Sequence, residues 1–477
     1  MSSNFDLSKI LKSNTQISRS QKLKYVWFLS IPGILAQISS ILMQYIDAAM
    51  VGSLGQSASA SIGLVASSTW VMGSLCHALS IGFTVQVAHS VGEGNRFKAK
   101  RIFKQSILTA IVFSLVITII AASISKALPL WLGAPEEIQK DASLYFAVYG
   151  FSMPFYILVF LMTGMLQAIG NMRLPSVLNA LMCILDAVLN VLFIKVLGLG
   201  VFGAALGTAL STVLIAVIMT VYTIFFCDYL NLKKSSWVLA KNAENSTSNS
   251  FIDSDGNYIA KAIKLGFPIA VEQVAFTGAL VLVTKIIAPL GAISLAANSF
   301  AVTAEALCYM PGYGIQEAST TLVGQSVGAK RPDLSRSFSW ITVIAGMSIM
   351  ALMGILMFFL CPLVFKIFTK DEMIQALATK VLRIECFAEP FYGAAIVSIG
   401  ALRGRGDTLV PSILMLVSLW IVRIGLSLLL VKPLGLVGIW IAMAVELTFR
   451  GLLMVGRLTY VNAIKEKNVQ KVQTDGK

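Results

Sequence analysis

Charge is scarce in this sequence. Asp, Glu, Lys and Arg make up only 13% of its 477 residues, against about 25% in an ordinary soluble chain. Stretches such as Ile107–Ser123 and Ser211–Phe226 hold none. Histidine is nearly absent, with His77 and His89 isolated from one another and from other ligand types. Six cysteines (Cys76, Cys183, Cys227, Cys308, Cys361, Cys386) lie in or at the ends of apolar runs, and none forms a CxxC pair. A zinc site, a disulfide framework and His-based catalysis are therefore excluded as organising themes. The first 24 residues lack the apolar core and small-residue cleavage site of a secretory leader. No basic stripe interleaved with aromatics accompanies the net charge of +14, so nucleic acid is not the expected partner.

What is present is apolar. Hydrophobic residues make up 57% of the chain and the mean hydropathy is +0.81. The runs are continuous, without the period of two that marks a membrane β-barrel. Their length of about 20 residues or more predicts transmembrane helices. The expected fold class is an all-α polytopic membrane protein with twelve spans. They fall roughly at 27–50, 60–91, 106–130, 144–169, 175–197 and 201–226, then at 265–288, 294–327, 338–368, 382–402, 411–431 and 436–459.

The two sets of six are copies. A shift of 236 residues places Pro32 on Pro268, Gln37 on Gln273, Leu54-Gly55 on Leu290-Gly291 and Ser90-Val91-Gly92 on Ser326-Val327-Gly328. It also places FSMPFY (151–156) on FAEPFY (387–392) and LQAIGNMRLPS (166–176) on LRGRGDTLVPS (402–412). An ordered set of Pro and Gly matches of this kind signals an internal repeat. The polar seam between the copies, with KNAENSTSNS at its centre, reads as a linker. The expected domains are a tail over 1–24, an N-lobe over 25–227, a linker over 228–260, a C-lobe over 261–460 and a tail over 461–477.

Basic residues set the orientation. Both tails, the linker, and the loops after spans 2 and 8 (Arg96, Lys98, Lys100, Arg101 and Lys104; Lys330, Arg331 and Arg336) are rich in Lys and Arg, whereas alternate loops are poor. Both termini are then cytoplasmic in a cell (inner or plasma) membrane. Both copies share one orientation and form parallel repeats about an axis along the membrane normal. The tripeptide Arg405-Gly406-Asp407 falls in a cytoplasmic turn and not in an exposed adhesion site.

The strings LGAISLAANSFAVTAEALCYMPGYGIQEASTTLVGQSVGA (290–329), GALRGRGDTLVPS (400–412) and GLVGIWIAMAVE (435–446) resemble the multidrug and toxic compound extrusion (MATE) antiporters. With the two-copy plan, the resemblance covers nearly the whole chain. It implies a V-shaped bundle with six helices per lobe around a cleft. It also implies efflux of small organic cations or amphipathic drugs in exchange for inward Na+ or H+, with no other cofactor. The remaining partner expectations are the lipid bilayer and a monomeric state.

Ionisable groups inside spans are costly and mark functional candidates. Asp47 lies in span 1. Asp186 and Asn190 are four apart on one face of span 5, and Thr208 is on span 6. Together they offer hard oxygen ligands suited to Na+, and the carboxylates can instead carry H+. The resemblance implies coupling through an Asp in span 1, an Asn/Asp pair four apart in span 5 and a Thr in span 6. Here the pair is reversed, Asp first, which moves the charge by one turn. Glu272 in span 7 and Glu305 in span 8 are candidates for second-lobe coupling or for meeting substrate charge. The span-10 carboxylate that one family type uses is absent, with Tyr392 near its place. Glu385 and Glu389 share a face of span 10 whose outer end is expected to be wet. Glu446, Arg450 and Arg423 are read as a structural ion pair or triad. Gln37, Met153, Tyr156, Gln273 and Tyr392 are candidate linings of a promiscuous cavity, since Met adapts its shape and aromatic faces attract cations.

The rival reading is a lipid-linked-precursor flippase of the related two-lobe superfamily. It calls for a basic cluster in the cleft, whereas carboxylates outnumber arginines within the spans. A membrane enzyme lacks its catalytic histidine, and a channel lacks a filter-like loop.

Overall fold

The structure is a computed structural model that describes residues 17–232 and 257–475, with side chains described as far as residue 463. The expected N-terminal tail up to residue 16, the linker over 233–256 and the end of the C-terminal tail lie outside the described residues. Every regular element described is helical. That follows from the apolar runs, because a backbone in lipid must satisfy its own hydrogen bonds and a helix does so within one segment.

The first copy contains α1 (Arg19–Gly52), α2 (Gln56–Gly92), α3 (Arg96–Ile124), the single turn α4 (Leu128–Trp131) and α5 (Glu136–Ala168). It continues with α6 (Arg173–Asn190), which runs into a π-helical turn over Val191–Val196, and α7 (Gly200–Val221), which runs into another over Tyr222–Phe226. The second copy contains α8 (Tyr258–Ile287), α9 (Ala292–Gly328), α10 (Pro332–Phe368), α11 (Glu372–Glu385) and α12 (Glu389–Gly404). It closes with α13 (Leu409–Val417), a π-helical turn over Ser418–Arg423, α14 (Ile424–Leu434) and α15 (Leu436–Asp475).

Eleven helical stretches among the described residues are long and apolar enough to cross a membrane. The twelfth expected span, over 382–402, departs from expectation. It is divided by a turn at Cys386–Ala388 between α11 and α12. Pro390, at the second position of α12, has no N–H to continue the α11 hydrogen-bond ladder, but its counterpart Pro154 lies inside the unbroken α5, so the proline alone does not divide the span.

The repeat is written into the backbone. Gly55 and Gly291, 236 residues apart, both have positive φ (108° and 93°) and both cap the helix that follows. Gly170 and Gly406 also pair (88° and 82°). In both of their turns the next residue donates back to a leucine carbonyl, Asn171 to Leu166 at 2.9 Å and Asp407 to Leu402 at 3.0 Å. At the third such position Gly94 has φ 71°, and its counterpart Lys330 keeps φ 56° despite its Cβ.

Packing gathers the chain into two compact units, Ser39–Ala270 and Met1–Ile38 with Val271–Lys477. The split falls inside α1 and α8, and glycine contacts show why. In the second unit α1 meets α9 backbone to backbone. A Cβ on Gly33 would lie 2.8 Å from the Gly314 carbonyl oxygen. In the first unit the start of α8 meets α2 in the same way, with a Cβ on Gly266 falling 2.7 Å from the Ala78 carbonyl oxygen. Small residues permit such approaches where lipid supplies little hydrophobic drive. Each unit has its own core, built around Phe83, Phe103, Phe146 and Met162 in one and around Phe365, Trp440, Met350 and Met454 in the other.

Candidate functional site

The four residues expected to bind a coupling cation converge in the unit Ser39–Ala270. Asn190, near the end of α6, is the hub. Its Nδ2 donates to Asp47 Oδ1 on α1 at 2.7 Å and to Asp186 Oδ2 one turn earlier at 3.1 Å. Ser211 on α7 donates to the other oxygen, Asp186 Oδ1, at 3.4 Å. The Thr208 side chain, one turn before Thr212, also lies within hydrogen-bonding reach of Asp186. Asp186 and Asn190 are fully buried, and Asp47 and Thr208 are half-buried. The Asp47 and Asp186 carboxyls lie within hydrogen-bonding reach of each other.

Local sequence explains the convergence. The four-residue spacing places Asp186 and Asn190 on one face of α6. Gly207 on α7 leaves the space that the Asn190 amide fills. A Cβ there would collide with Asn190 Oδ1 and lie 3.0 Å from its Cγ. Asn190 Oδ1 is buried and accepts no hydrogen bond among the described residues. Two carboxyls, one unserved amide oxygen and two hydroxyls thus surround one small volume. Such a set can hold a proton between the carboxyls or coordinate a hard monovalent cation. Ser211 and Gly207 carry no signal in the sequence, being a serine and a glycine in an apolar span rich in small residues.

The other candidates lie elsewhere. Glu272 on α8 is buried and already engaged: Ser412 Oγ donates to its Oε2 at 2.5 Å, and Arg403 approaches its Oε1 at 3.5 Å. Glu305 on α9 is buried in the same unit, within range of Arg423 and Arg450. Gln37 on α1 donates to Glu317 on α9 at 2.8 Å. Met153 is fully buried and packs in the core of its unit. Tyr156 lies against Tyr149 with ring centroids 5.0 Å apart. Gln273 is half-buried on α8, and its carbonyl accepts from Thr277. Tyr392 is buried beneath Arg450, whose guanidinium lies 5.8 Å from the ring centre.

The expected triad resolves into a pair. Arg450 grips Glu446 through two hydrogen bonds of 2.8 Å, and Ser418 donates to Glu446 at 2.6 Å. Arg423 instead donates to the Met443 sulfur at 2.9 Å. In the turn between α12 and α13, Asp407 pairs with Arg457 at 2.9 Å, and Arg405 donates to Asn462 and Ser339. Burial pushes Arg405 down to about 10, so it stays charged at neutral pH. The tripeptide is thus consumed in contacts with α15 and α10.

Two tandem helical repeats with carboxylates and an amide buried inside their spans are the plan of a secondary transporter. Comparison with known proteins identifies which one. The family model MatE matches residues 32–192 and again 268–429, so the chain belongs to the MatE family of multi-pass membrane antiporters, which are transporters and not enzymes. The two matches begin 236 residues apart, the period of the repeat. The chain is 27% identical over 434 residues to the probable multidrug resistance protein NorM of Thermotoga maritima, covering 89% of each. It is 26% identical to the NorM of Pasteurella multocida, over 92% of this chain and 94% of that one. Among solved structures, an outward-facing multidrug resistance MATE transporter of the MOP superfamily matches with a TM-score of 0.86 at 19% identity, over 96% of this chain and 98% of that one. A MOP superfamily transporter from Pyrococcus furiosus matches with a TM-score of 0.85, also at 19% identity, over 96% and 98% of the two chains. At that identity the likeness establishes the fold.

Proposed function

We propose that this protein exports small organic cations or amphipathic drugs in exchange for inward Na+ or H+, by alternating access of its two repeats. The observation that carries the proposal is the constellation of Asp47, Asp186, Asn190 and Thr208, completed by Ser211. Its two carboxyls and unserved amide oxygen, buried inside the spans, support the exchange of a cation or proton there. The NorM relatives, similar over nearly their whole length, support the substrate class through their description as probable multidrug resistance proteins. The reversed Asp186/Asn190 order leaves both ions within the chemistry of the site. The excess of Lys and Arg in the tails and alternate loops supports cytoplasmic termini in the cell membrane.

The driving force is constrained. One charge moving through about 100 mV is worth about 2.3 kcal/mol. A one-for-one exchange of Na+ or H+ for a monovalent drug moves no net charge and draws only on the ion gradient. Purified protein in liposomes should therefore drive a fluorescent organic cation against its gradient when a Na+ or a H+ gradient is imposed. Running the two gradients separately identifies the ion, and flux indifferent to both refutes antiport.

A further inference from the structure

Two cations stand on the open face of α11. The inner face of that helix buries Ala378, Val381, Leu382 and Glu385, and Glu389 just past the turn is buried too. The expectation of a wet outer end is overturned for both carboxyls. On the other face Lys380 is exposed and Arg383 half-buried, beside Thr379, Ile384 and the exposed Phe387. Together with Phe358 of α10 these side chains line an open cleft of about 360 Å3. That lies within the range of small-molecule sites, roughly 300–1,000 Å3.

A proline explains how Arg383 is held. Pro362, inside α10, has no N–H for the Phe358 carbonyl one turn earlier. Arg383 Nε donates to that oxygen at 3.1 Å. Its guanidinium lies 5.0 Å from the centre of the Phe358 ring, which meets Phe387 edge-on at 5.7 Å. The group is anchored but its charge is not met: among the described residues no carboxylate pairs with Arg383 or Lys380. The first copy has Leu144 and Ala147 at the equivalent positions, so the repeat itself does not demand these charges. Depth adds to the argument. Phe358 lies about 33 Å along α10 from Arg336, with no charged residue between them. A hydrocarbon core about 30 Å thick ends near that level, so the cleft opens at the headgroup layer. Side chains on a helix lean toward its N-terminus. Lys380 and Arg383 therefore reach up to the headgroups, while Ile384 and Phe387 continue down among the acyl chains.

We propose that this cleft binds one anionic phospholipid of the surrounding bilayer, with its phosphate between Lys380 and Arg383 and an acyl chain along Ile384 and Phe387. A phosphodiester accepts charge-assisted hydrogen bonds from both an ammonium and a guanidinium, and its chains cover apolar side chains that already face lipid. A zwitterionic lipid carries its own cation beside the phosphate and gains less from the pair. The bound lipid bridges α10 and α11, the two helices that Arg383 already ties together. By the orientation proposed above it belongs to the outer leaflet, but the site itself does not depend on that orientation or on antiport.

Native mass spectrometry of the full-length protein in a non-ionic detergent tests this, with titrations of dioleoyl phosphatidylglycerol, dioleoyl phosphatidylcholine and glycerol phosphate. The first phosphatidylglycerol should bind about fivefold or more tightly than phosphatidylcholine. Lys380→Gln should weaken that first adduct about fivefold, and Lys380→Gln/Arg383→Gln about thirtyfold. Lys380 is exposed, so its substitution leaves the fold alone and serves if the double variant does not fold. Lys366→Gln, which removes an exposed lysine outside the cleft, should leave the adduct unchanged. Equal affinity for the two lipids, or an equal effect of Lys366→Gln, refutes a specific site. A first adduct indifferent to Lys380→Gln places the lipid elsewhere and overturns the assignment. Displacement by glycerol phosphate at the same concentration would make this a soluble-anion site, and loss of a protein dimer in place of a lipid adduct would assign the face to a second copy; either overturns the proposal.

Discussion

Gly207→Ala is the sharpest perturbation of the cation site because it removes none of the liganding groups. The added methyl would occupy the place of Asn190 Oδ1 and press within 3.0 Å of its Cγ. The amide must turn away, and it cannot do so and keep both its 2.7 Å bond to Asp47 and its 3.1 Å bond to Asp186. A hydrogen bond to a charged group contributes about 1.5–3 kcal/mol. Disrupting two, with partial recovery by rearrangement, costs about 3 kcal/mol of site preorganisation. That corresponds to roughly a hundredfold rise in the coupling-ion concentration needed for half-maximal exchange. The helix preference for Ala over Gly, about 1 kcal/mol, offsets part of the strain from the 3.2 Å approach of the new Cβ to the Asn190 backbone nitrogen, so a folded variant is checked by its melting temperature before the efflux assay. Ion-dependent efflux from liposomes, measured across a titration of the coupling ion, reads the effect directly. If Gly207→Ala folds and its ion dependence matches the unmodified protein, Asn190 does not organise the site and the reasoning fails.

Other outcomes follow from the same geometry. Asp186→Asn should abolish ion-coupled efflux while leaving the melting temperature close to the unmodified value, and full activity would move coupling to the second copy. Glu272→Ala should lower stability in thermal unfolding by about 3 kcal/mol, because it strands the largely buried Arg403. A normal melting temperature combined with lost ion dependence would instead make Glu272 a coupling residue. Arg450→Met should be strongly destabilising, by about 3–5 kcal/mol, and the double change Glu446→Leu/Arg450→Met should recover most of the loss, since the buried pair is removed whole. Failure of the double change to recover stability would assign the pair a packing role that apolar side chains do not fill. Gly314→Val should sharply reduce the monodisperse fraction on gel filtration, because its Cβ would run into the Ile34 backbone.

Much of the fold was legible because membrane helices advertise themselves. Lipid forbids unsatisfied backbone, so long apolar runs have one solution, and the paired Gly and Pro fixed the 236-residue period. The tenth span was the exception. Arg383, Glu385 and Glu389 interrupt its apolar run around Cys386–Ala388, but the same Pro that sits in this division at position 390 is carried without a break at Pro154 in α5, so the sequence alone did not mark where the span divides. The division of α1 and α8 between packed units was also hidden, since it rests on single glycine contacts such as Gly33 with Gly314. In the cation site, Asp47, Asp186 and Asn190 stood out as polar groups in apolar runs. Ser211 and Gly207 did not, because their roles exist only once α6 and α7 are side by side. Glu272 was also a candidate in sequence, and the Arg403 and Ser412 contacts show it to be engaged.

The central claim is that ion movement through the site of Asp47, Asp186 and Asn190 drives export. Simultaneous recording of organic-cation flux and of Na+ or H+ counterflux in one proteoliposome preparation tests it most directly. The account predicts opposite fluxes in a fixed ratio, both lost together in Asp186→Asn. Substrate flux that persists in Asp186→Asn with the same ion counterflux would contradict it.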